Sequence, residues 1–236
     1  MEEQTEKPKL FRYKGTVIDV QTIAPTVKHI VIDTPTDFSF IPGQFVSLIL
    51  QKEGKELRRS YSIASLSDGE HLELCIKILK EGRATPLIDM FQVGDSVEVM
   101  GPLGRFILNE KSLQKDIVFV ATGTGITPFR PMVDFLLKNG FSKRIILIAG
   151  YKTEEDRLYH HEFDSHVQKN KNFLYHLVLS RSDAQEKEHV QDVLERTLVS
   201  DADYYICGLK EMVFGVKELL LQKGIPPENV YFERYD

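Results

Sequence analysis

The run Ile117-Val118-Phe119-Val120-Ala121-Thr122-Gly123-Thr124-Gly125-Ile126-Thr127-Pro128-Phe129 changes character twice. Its first five side chains are apolar without alternation, the pattern of a strand buried on both faces. Two glycines follow, one residue apart. Pro128 then precedes the apolar helical pattern Phe129 to Lys138, at a place where a missing backbone N–H costs nothing. Strand, glycine turn and helix is the arrangement in which backbone amides and a helix N-terminus meet a phosphate. Glycine permits both the tight turn and the close approach to a pyrophosphate. The third glycine of the common dinucleotide fingerprint is missing, so a plain strand-to-helix turn remains the local alternative.

Downstream the same grammar repeats. Apolar strands are expected at Ile145 to Gly150, Phe173 to Ser180, Tyr204 to Cys207 and Val230 to Glu233. Amphipathic helices are expected at about Glu154 to Gln168, Val190 to Thr197 and Met212 to Gln222. Five such strands alternating with helices predict an α/β unit with a parallel sheet covered on both faces. Upstream the period is two. Lys14 to Val20, His29 to Asp33, Phe45 to Gln51, Ser60 to Ala64, His71 to Lys80 and Ser96 to Met100 read as strands, with one helix at about Thr85 to Phe91. In the clearest, Leu72, Leu74, Ile76 and Ile78 alternate with His71, Glu73, Cys75 and Lys77. Six short strands at this spacing predict a small barrel or sandwich. The boundary is placed in the polar, aperiodic Leu108 to Lys115, giving domains 1–110 and 111–236.

With 30 Lys plus Arg against 35 Asp plus Glu, the chain lacks the basic excess of a nucleic-acid binder or a basic membrane-surface protein. Cys75 and Cys207, far apart, fit neither a disulfide scaffold, a zinc site nor an iron-sulfur cluster. The acidic start, Met1 to Glu6, does not read as a secretory signal, and no apolar run approaches bilayer length. The expected location is the cytoplasm. His160, His161 and His166 read as a solvated helix rather than a metal site, and no metal is expected.

Glu154, Glu155 and Asp156 could recognise an adenosine ribose, but Thr153-x-x-Asp156 has nearly the form of a capping box at a helix start. Ser180 and Arg181 end the third strand of the α/β half. There Arg181, with Lys152, could pair with a 2′-phosphate or simply be solvated.

Arg59-Ser60-Tyr61-Ser62 in the β half, followed by Gly123-Thr124-Gly125-Ile126-Thr127-Pro128 in the α/β half, resembles the ferredoxin-NADP reductase superfamily. Matching segments run in order through nearly the whole chain: Pro42-Gly43-Gln44-Phe45, Gly82-Arg83-Ala84-Thr85, Gly101-Pro102-Leu103-Gly104-Arg105-Phe106, Cys207-Gly208 and Phe232-Glu233-Arg234-Tyr235. The resemblance implies a six-stranded antiparallel β-barrel that binds flavin and a five-stranded parallel α/β domain that binds NADH or NADPH. Two phosphate contacts, at Arg59 and at Gly82 to Thr85, imply FAD rather than FMN. It further implies that Tyr61 lies along the flavin, that Ser62 hydrogen-bonds near N5, and that Cys207 lies beside the nicotinamide with Glu233 and Tyr235 completing the site. One residue, Asp236, follows Tyr235, a departure from the plant-type pattern that puts the stacking role of Tyr235 in question. His189-Val190-Gln191-Asp192 looks like the NADH-using branch.

The implied activity is hydride transfer from NAD(P)H to flavin and electron delivery to a protein acceptor such as a ferredoxin or an oxygenase component. The catalytic residues would be Ser62, Cys207 and Glu233. The alternatives are a flavin reductase that releases reduced flavin and a non-catalytic electron-transfer subunit.

Overall fold

A computed structural model describes residues 8–66, 70–181 and 187–235 and divides the chain into two units that meet between Ile107 and Leu108. The first unit carries β1 (Phe11–Ala24), β2 (Val27–Ile32), β3 (Phe45–Lys52), β4 (Lys55–Ser62), β5 (Leu72–Lys77), α1 (Thr85–Asp89) and β6 (Ser96–Leu103). Its strands form one antiparallel sheet in the order β4-β3-β6-β1-β2-β5. β1 turns a corner of this sheet: Phe11 to Thr16 pair with β6, and Val17 to Ala24 pair with β2. Register shifts at Val17/Asp19 and Thr22/Ala24 mark irregularities of the kind that bend a strand. The two ends of the sheet meet at the bridge Ile63–Leu74, reinforced by Ala64 N–H donating to Glu73 O at 2.8 Å, so the sheet curls into a barrel. Alternation points Ile30, Ile32, Leu48, Leu72, Leu74 and Val99 into a fully buried core, which Ala84 and Ile88 cover from α1.

β4 differs from the expected Ser60 to Ala64 by starting at Lys55. The charges at its start conceal it in the sequence, and the structure pairs them. Arg58 Nε meets Glu56 at 2.5 Å, while Arg12 reaches Glu98 at 2.5 Å and Glu56 at 3.7 Å. Such a strand suits the edge of a sheet, where charged side chains stay wet. β5 ends at Lys77 instead of Lys80, because Leu79 leaves the ladder to bond Thr85.

The second unit carries β7 (Asp116–Thr122), α2 (Phe129–Lys138), β8 (Ile145–Tyr151), α3 (His160–Lys169), β9 (Phe173–Leu179), α4 (Val190–Arg196), β10 (Ala202–Leu209), α5 (Lys210–Gln222) and β11 (Val230–Tyr235). All its strand pairs are parallel, in the order β11-β10-β7-β8-β9. Every residue of β8 is buried, as the unbroken apolar run Ile145 to Ala149 requires. From β7 the chain winds outward to β8 and β9, then returns to the other side of β7 with β10. β7 and β10 are therefore neighbours whose following connections leave on opposite sides, the crevice at which such sheets bind ligands.

The helix expected over Glu154 to Gln168 is broken. A single 3₁₀ turn, Glu154–Asp156, is closed by its capping box, Leu158 is buried, and Tyr159 takes a left-handed φ of 55° before α3 begins. Arg130 fixes the break from α2, its guanidinium lying 4.6 Å over the Tyr159 ring and bonding Glu162 at 2.9 Å. Periodicity does not see such a contact, because it comes from another helix. No helix among the described residues is long and apolar enough to cross a membrane.

Candidate active site

In the first unit the candidate flavin residues lie on β4 and at the start of α1. Cross-strand register places Leu57, Arg59 and Tyr61 opposite Leu50, Leu48 and Val46, so these three share the face of β4 that packs on the barrel core. Leu57 is buried there and the Tyr61 ring is half-buried, its phenol pushed up to about 12 by burial against an opposing effect of Arg59. A guanidinium between them does nothing for a hydrophobic face. Arg59 is exposed, donates from Nη1 to Arg58 O at 2.7 Å, and pairs with no carboxylate among the described residues, whereas Arg12 and Arg58 are both ion-paired. An unneutralised guanidinium with donors left over, beside a partly exposed aromatic ring, fits a phosphate and a flat ring. Ser60 and Ser62 alternate to the other face: Ser60 Oγ approaches Ser47 Oγ at 3.4 Å, and Ser62 is buried.

Gly82 to Thr85 is a compact turn. A Cβ on Gly82 would stand 2.6 Å from Thr85 Oγ1 and 3.0 Å from Leu79 O, so only glycine fits. The Thr85 hydroxyl accepts from Leu79 N–H at 3.0 Å and donates to Leu79 O at 2.8 Å. Its one proton is committed to closing this turn. Arg83 is exposed and Ala84 buried, and Gly82 N–H donates to Leu79 O at 2.9 Å.

In the second unit Gly123 to Ile126 forms a 3₁₀ turn between β7 and α2, and Pro128 caps α2. Gly123 has φ 54° with open space around a Cβ, so it is required for its backbone angle alone. Gly125 is required for contact, since its Cβ would stand 2.2 Å from Cys207 O and 2.8 Å from Gly208 Cα. The candidate phosphate loop thus packs directly on the end of β10. Thr127 is buried and its hydroxyl donates to Thr124 O at 2.7 Å, stapling the loop shut.

Cys207 lies between Ala121 of β7 and Glu233 of β11 in the ladder. It is fully buried, and burial, followed by the Glu233 carboxylate, raises its thiol far above the usual range, against the lowering effect of a hydrogen bond with Tyr235. The thiol is therefore neutral at ordinary pH, a soft packing group rather than a nucleophile. Cys207, Glu233 and Tyr235, widely separated in sequence, come together at the carboxyl end of the sheet, as do the Gly123 to Pro128 loop and Gly208.

Ser180 and Arg181 prolong β9 beside β8. Ser180 N–H and hydroxyl both donate to Tyr151 O, at 2.9 and 3.3 Å, and Arg181 N–H donates to Lys152 O at 2.9 Å. Two exposed cations, Lys152 and Arg181, are thereby adjacent. Of the neighbouring acids, Asp156 accepts from both N–H and hydroxyl of Thr153 and Glu154 holds Arg157 at 2.6 Å, while Glu155 is exposed. Asp192 likewise accepts from His189 N–H at the start of α4. Asp236 lies outside the described residues. Sequence reasoning passed over Thr122, whose hydroxyl is buried beside the loop with no hydrogen-bond partner among the described residues. Only its position as the last residue of an otherwise apolar strand could have signalled it.

Comparison with known proteins agrees with this division. Residues 14–107 match the oxidoreductase FAD-binding domain family and residues 119–218 the oxidoreductase NAD-binding domain family. The chain is 29% identical to ferredoxin–NADP reductase B of Sorangium cellulosum, over 95% of this chain and 98% of that one. It is 30% identical to the toluate 1,2-dioxygenase electron transfer component of Pseudomonas putida over 91% of this chain, but spans only 63% of that longer protein. The solved structure of the Amycolatopsis cytochrome P450 reductase GcoB superposes with a TM-score of 0.87 at 26% identity, covering 97% of this chain and 71% of that one. With an FAD-binding barrel followed by an NAD-binding parallel sheet, the chain belongs to the ferredoxin-NADP reductase superfamily and is an NAD(P)H-dependent flavoprotein reductase.

Proposed function

We propose that the chain takes hydride from NADH or NADPH onto FAD and passes the electrons to a separate protein acceptor, a ferredoxin or an oxygenase component. FAD supplies the ability to accept two electrons together and release them singly. The protein's part is to bind, orient and exclude water. Arg59 pairs with a flavin phosphate, Tyr61 packs along the ring system, and the Ser62 hydroxyl offers a hydrogen bond near N5. The backbone of Gly82, Arg83, Ala84 and Thr85 receives the second phosphate. The loop Gly123, Thr124, Gly125, Thr127 and Pro128 holds the dinucleotide phosphates. Cys207 and Gly208 form an uncharged floor beside the nicotinamide, Glu233 holds or exchanges a proton there, and Tyr235 covers the ring.

The observation that carries this reading is the contact of Gly125 with Cys207 and Gly208, which joins a phosphate-type loop to a neutral thiol flanked by a carboxylate. The acceptor rests on the names of the two relatives, a ferredoxin reductase and a dioxygenase component. The adjacent cations Lys152 and Arg181 are where the two donors differ. Arg181→Ala should raise KM for NADPH about tenfold and leave KM for NADH within a factor of two.

The visible spectrum of the purified protein, followed anaerobically on adding NADH and separately NADPH, tests the whole. A bound flavin band that bleaches on mixing supports it. A colourless protein that oxidises NAD(P)H only with added free flavin makes it a flavin-releasing reductase instead. No reaction under either condition overturns both readings and leaves the non-catalytic subunit.

A further inference from the structure

Leu108 opens the second unit, and the chain then makes a 3₁₀ turn, Glu110–Gln114, before β7 begins at Asp116. The residue that this turn buries is a serine. Ser112 Oγ lies 2.6 Å from Asp203 Oδ2 and 2.7 Å from the Tyr205 hydroxyl, both on β10 and both buried. Asn109 N–H donates to the same Tyr205 hydroxyl at 2.9 Å. Lys115 Nζ closes the group, 3.5 Å from Asp203 Oδ1 and 3.2 Å from Asn229 Oδ1.

The protons of this group can be assigned. A carboxylate accepts, so the Ser112 proton goes to Asp203 and the Ser112 oxygen is left to accept from Tyr205. Burial pushes the Tyr205 phenol up to about 12, so it keeps the proton that this bond needs. The bonds therefore run from Asn109 N–H to Tyr205, from Tyr205 to Ser112 and from Ser112 to Asp203. Stability alone does not call for such a group, because desolvating a carboxylate and an ammonium offsets much of what their pairing returns. What the bonds add is direction, since a fully satisfied polar network specifies one arrangement. The point that they fix is Asn109, two residues beyond Ile107, the end of the barrel unit.

We propose that Ser112, Tyr205 and Asp203 are positioning residues for hydride transfer, fastening the connecting segment to β10 from Asn109 onward so that the joint between the two units stays short. This rests on the reading of the chain as a reductase whose flavin is held by one unit and whose nucleotide by the other. Reacting atoms must be held about 3–3.5 Å apart, and a displacement of about 1 Å can cost on the order of a hundredfold in rate. A longer free joint widens the range of placements without altering what either unit binds. The group also lies away from the ligand end of the sheet: Asp203 pairs with Ile117 in the ladder, whereas Cys207 pairs with Ala121, next to the glycine loop.

The test uses Tyr205→Phe and Ser112→Ala, singly and together, in the full chain with bound FAD. Tyr205→Phe keeps the ring and its stack on Tyr231 at 4.7 Å, and it decides the question by itself if Ser112→Ala fails to fold. Flavin bleaching is followed anaerobically at saturating NADH or NADPH, whichever bleaches the wild-type chain, alongside the dissociation constant for ADP-ribose and flavin content after dialysis. The expected result is bleaching about tenfold slower in each single variant, with ADP-ribose affinity and flavin content within a factor of two of wild type. The double variant should be no slower than the single ones, because both hydroxyls belong to one chain of bonds. Bleaching at the wild-type rate in a folded variant overturns this inference alone. So does a slowing matched by an equal loss of ADP-ribose affinity or flavin, or a double loss that is the product of the single ones. A wild-type chain whose flavin neither nucleotide bleaches overturns the functional reading with it.

Discussion

Two threonines border the two glycine turns of the molecule, and their hydroxyls are treated in opposite ways. Thr85, in the flavin-binding unit, both accepts from and donates to Leu79, so its turn is complete without a ligand. Thr122, in the nucleotide-binding unit, has its hydroxyl buried with no partner among the described residues. The same contrast separates Arg58, ion-paired to Glu56, from Arg59, which meets no carboxylate among the described residues. A polar group that the chain satisfies for itself serves the fold, and one left unsatisfied at a crevice or on an apolar face calls for a separate explanation. Residue type does not distinguish the two cases; partners do.

The comparison can be broken most sharply at the glycines. Gly125→Ala puts a methyl group into the backbone of Cys207, and should cost about 3 kcal/mol or more of unfolding free energy in a urea titration. Gly123→Ala meets open space and pays only for its left-handed angle, about 1 kcal/mol. Equal losses at the two positions would mean that the packing of the loop on β10 is wrong. At the arginines the expected effect moves from stability to binding. Arg59→Ala should weaken flavin retention on dialysis by about tenfold or more with unfolding unchanged, whereas Arg58→Ala should leave retention as it is.

Smaller is the effect at Thr85. Thr85→Val removes both bonds to Leu79, and should lower unfolding free energy by about 1–2 kcal/mol. Smallest is a null result at Cys207. Because burial holds its thiol neutral well above pH 8, iodoacetamide at that pH should leave it unlabelled in the folded protein and label it in urea, read by intact mass. Labelling in the folded state would show that the thiol is reached by solvent.

Much of this was legible in the sequence because burial leaves periodic traces. Period two in Leu72 to Ile76 and the unbroken apolar runs of β7 and β8 state which sheet each strand belongs to. The start of β4 was hidden because Lys55, Glu56 and Arg58 break the apolar alternation; Glu56 is matched by Arg58 on its own strand and by Arg12 on β1. The break before α3 was hidden because Arg130 of a different helix holds Tyr159 in place. At the candidate site the residue types of Arg59, Gly125 and Cys207 were readable. The spent proton of Thr85 and the unspent one of Thr122 were not, since hydrogen-bond partnership belongs to the folded chain. Glu154 to Asp156 illustrate the converse, with the capping-box spacing visible in the sequence and present in the structure.

The strand order of the second unit bears on how the chain comes off the ribosome. β7, β8 and β9 are made in succession, but β7 gains its other neighbour, β10, only when residues 202–209 appear, and β11 is later still. The barrel ends by residue 107 and can fold while the remainder is being synthesised, as N-terminal units generally do. Cys207, Gly208 and Glu233 are translated after β7, β8 and β9, and Gly125 lacks the backbone it packs against until Cys207 and Gly208 arrive. A nascent chain can thus acquire its pigment well before it can accept reducing equivalents, and a ribosome stalled before residue 202 would hold a coloured but electrically silent protein.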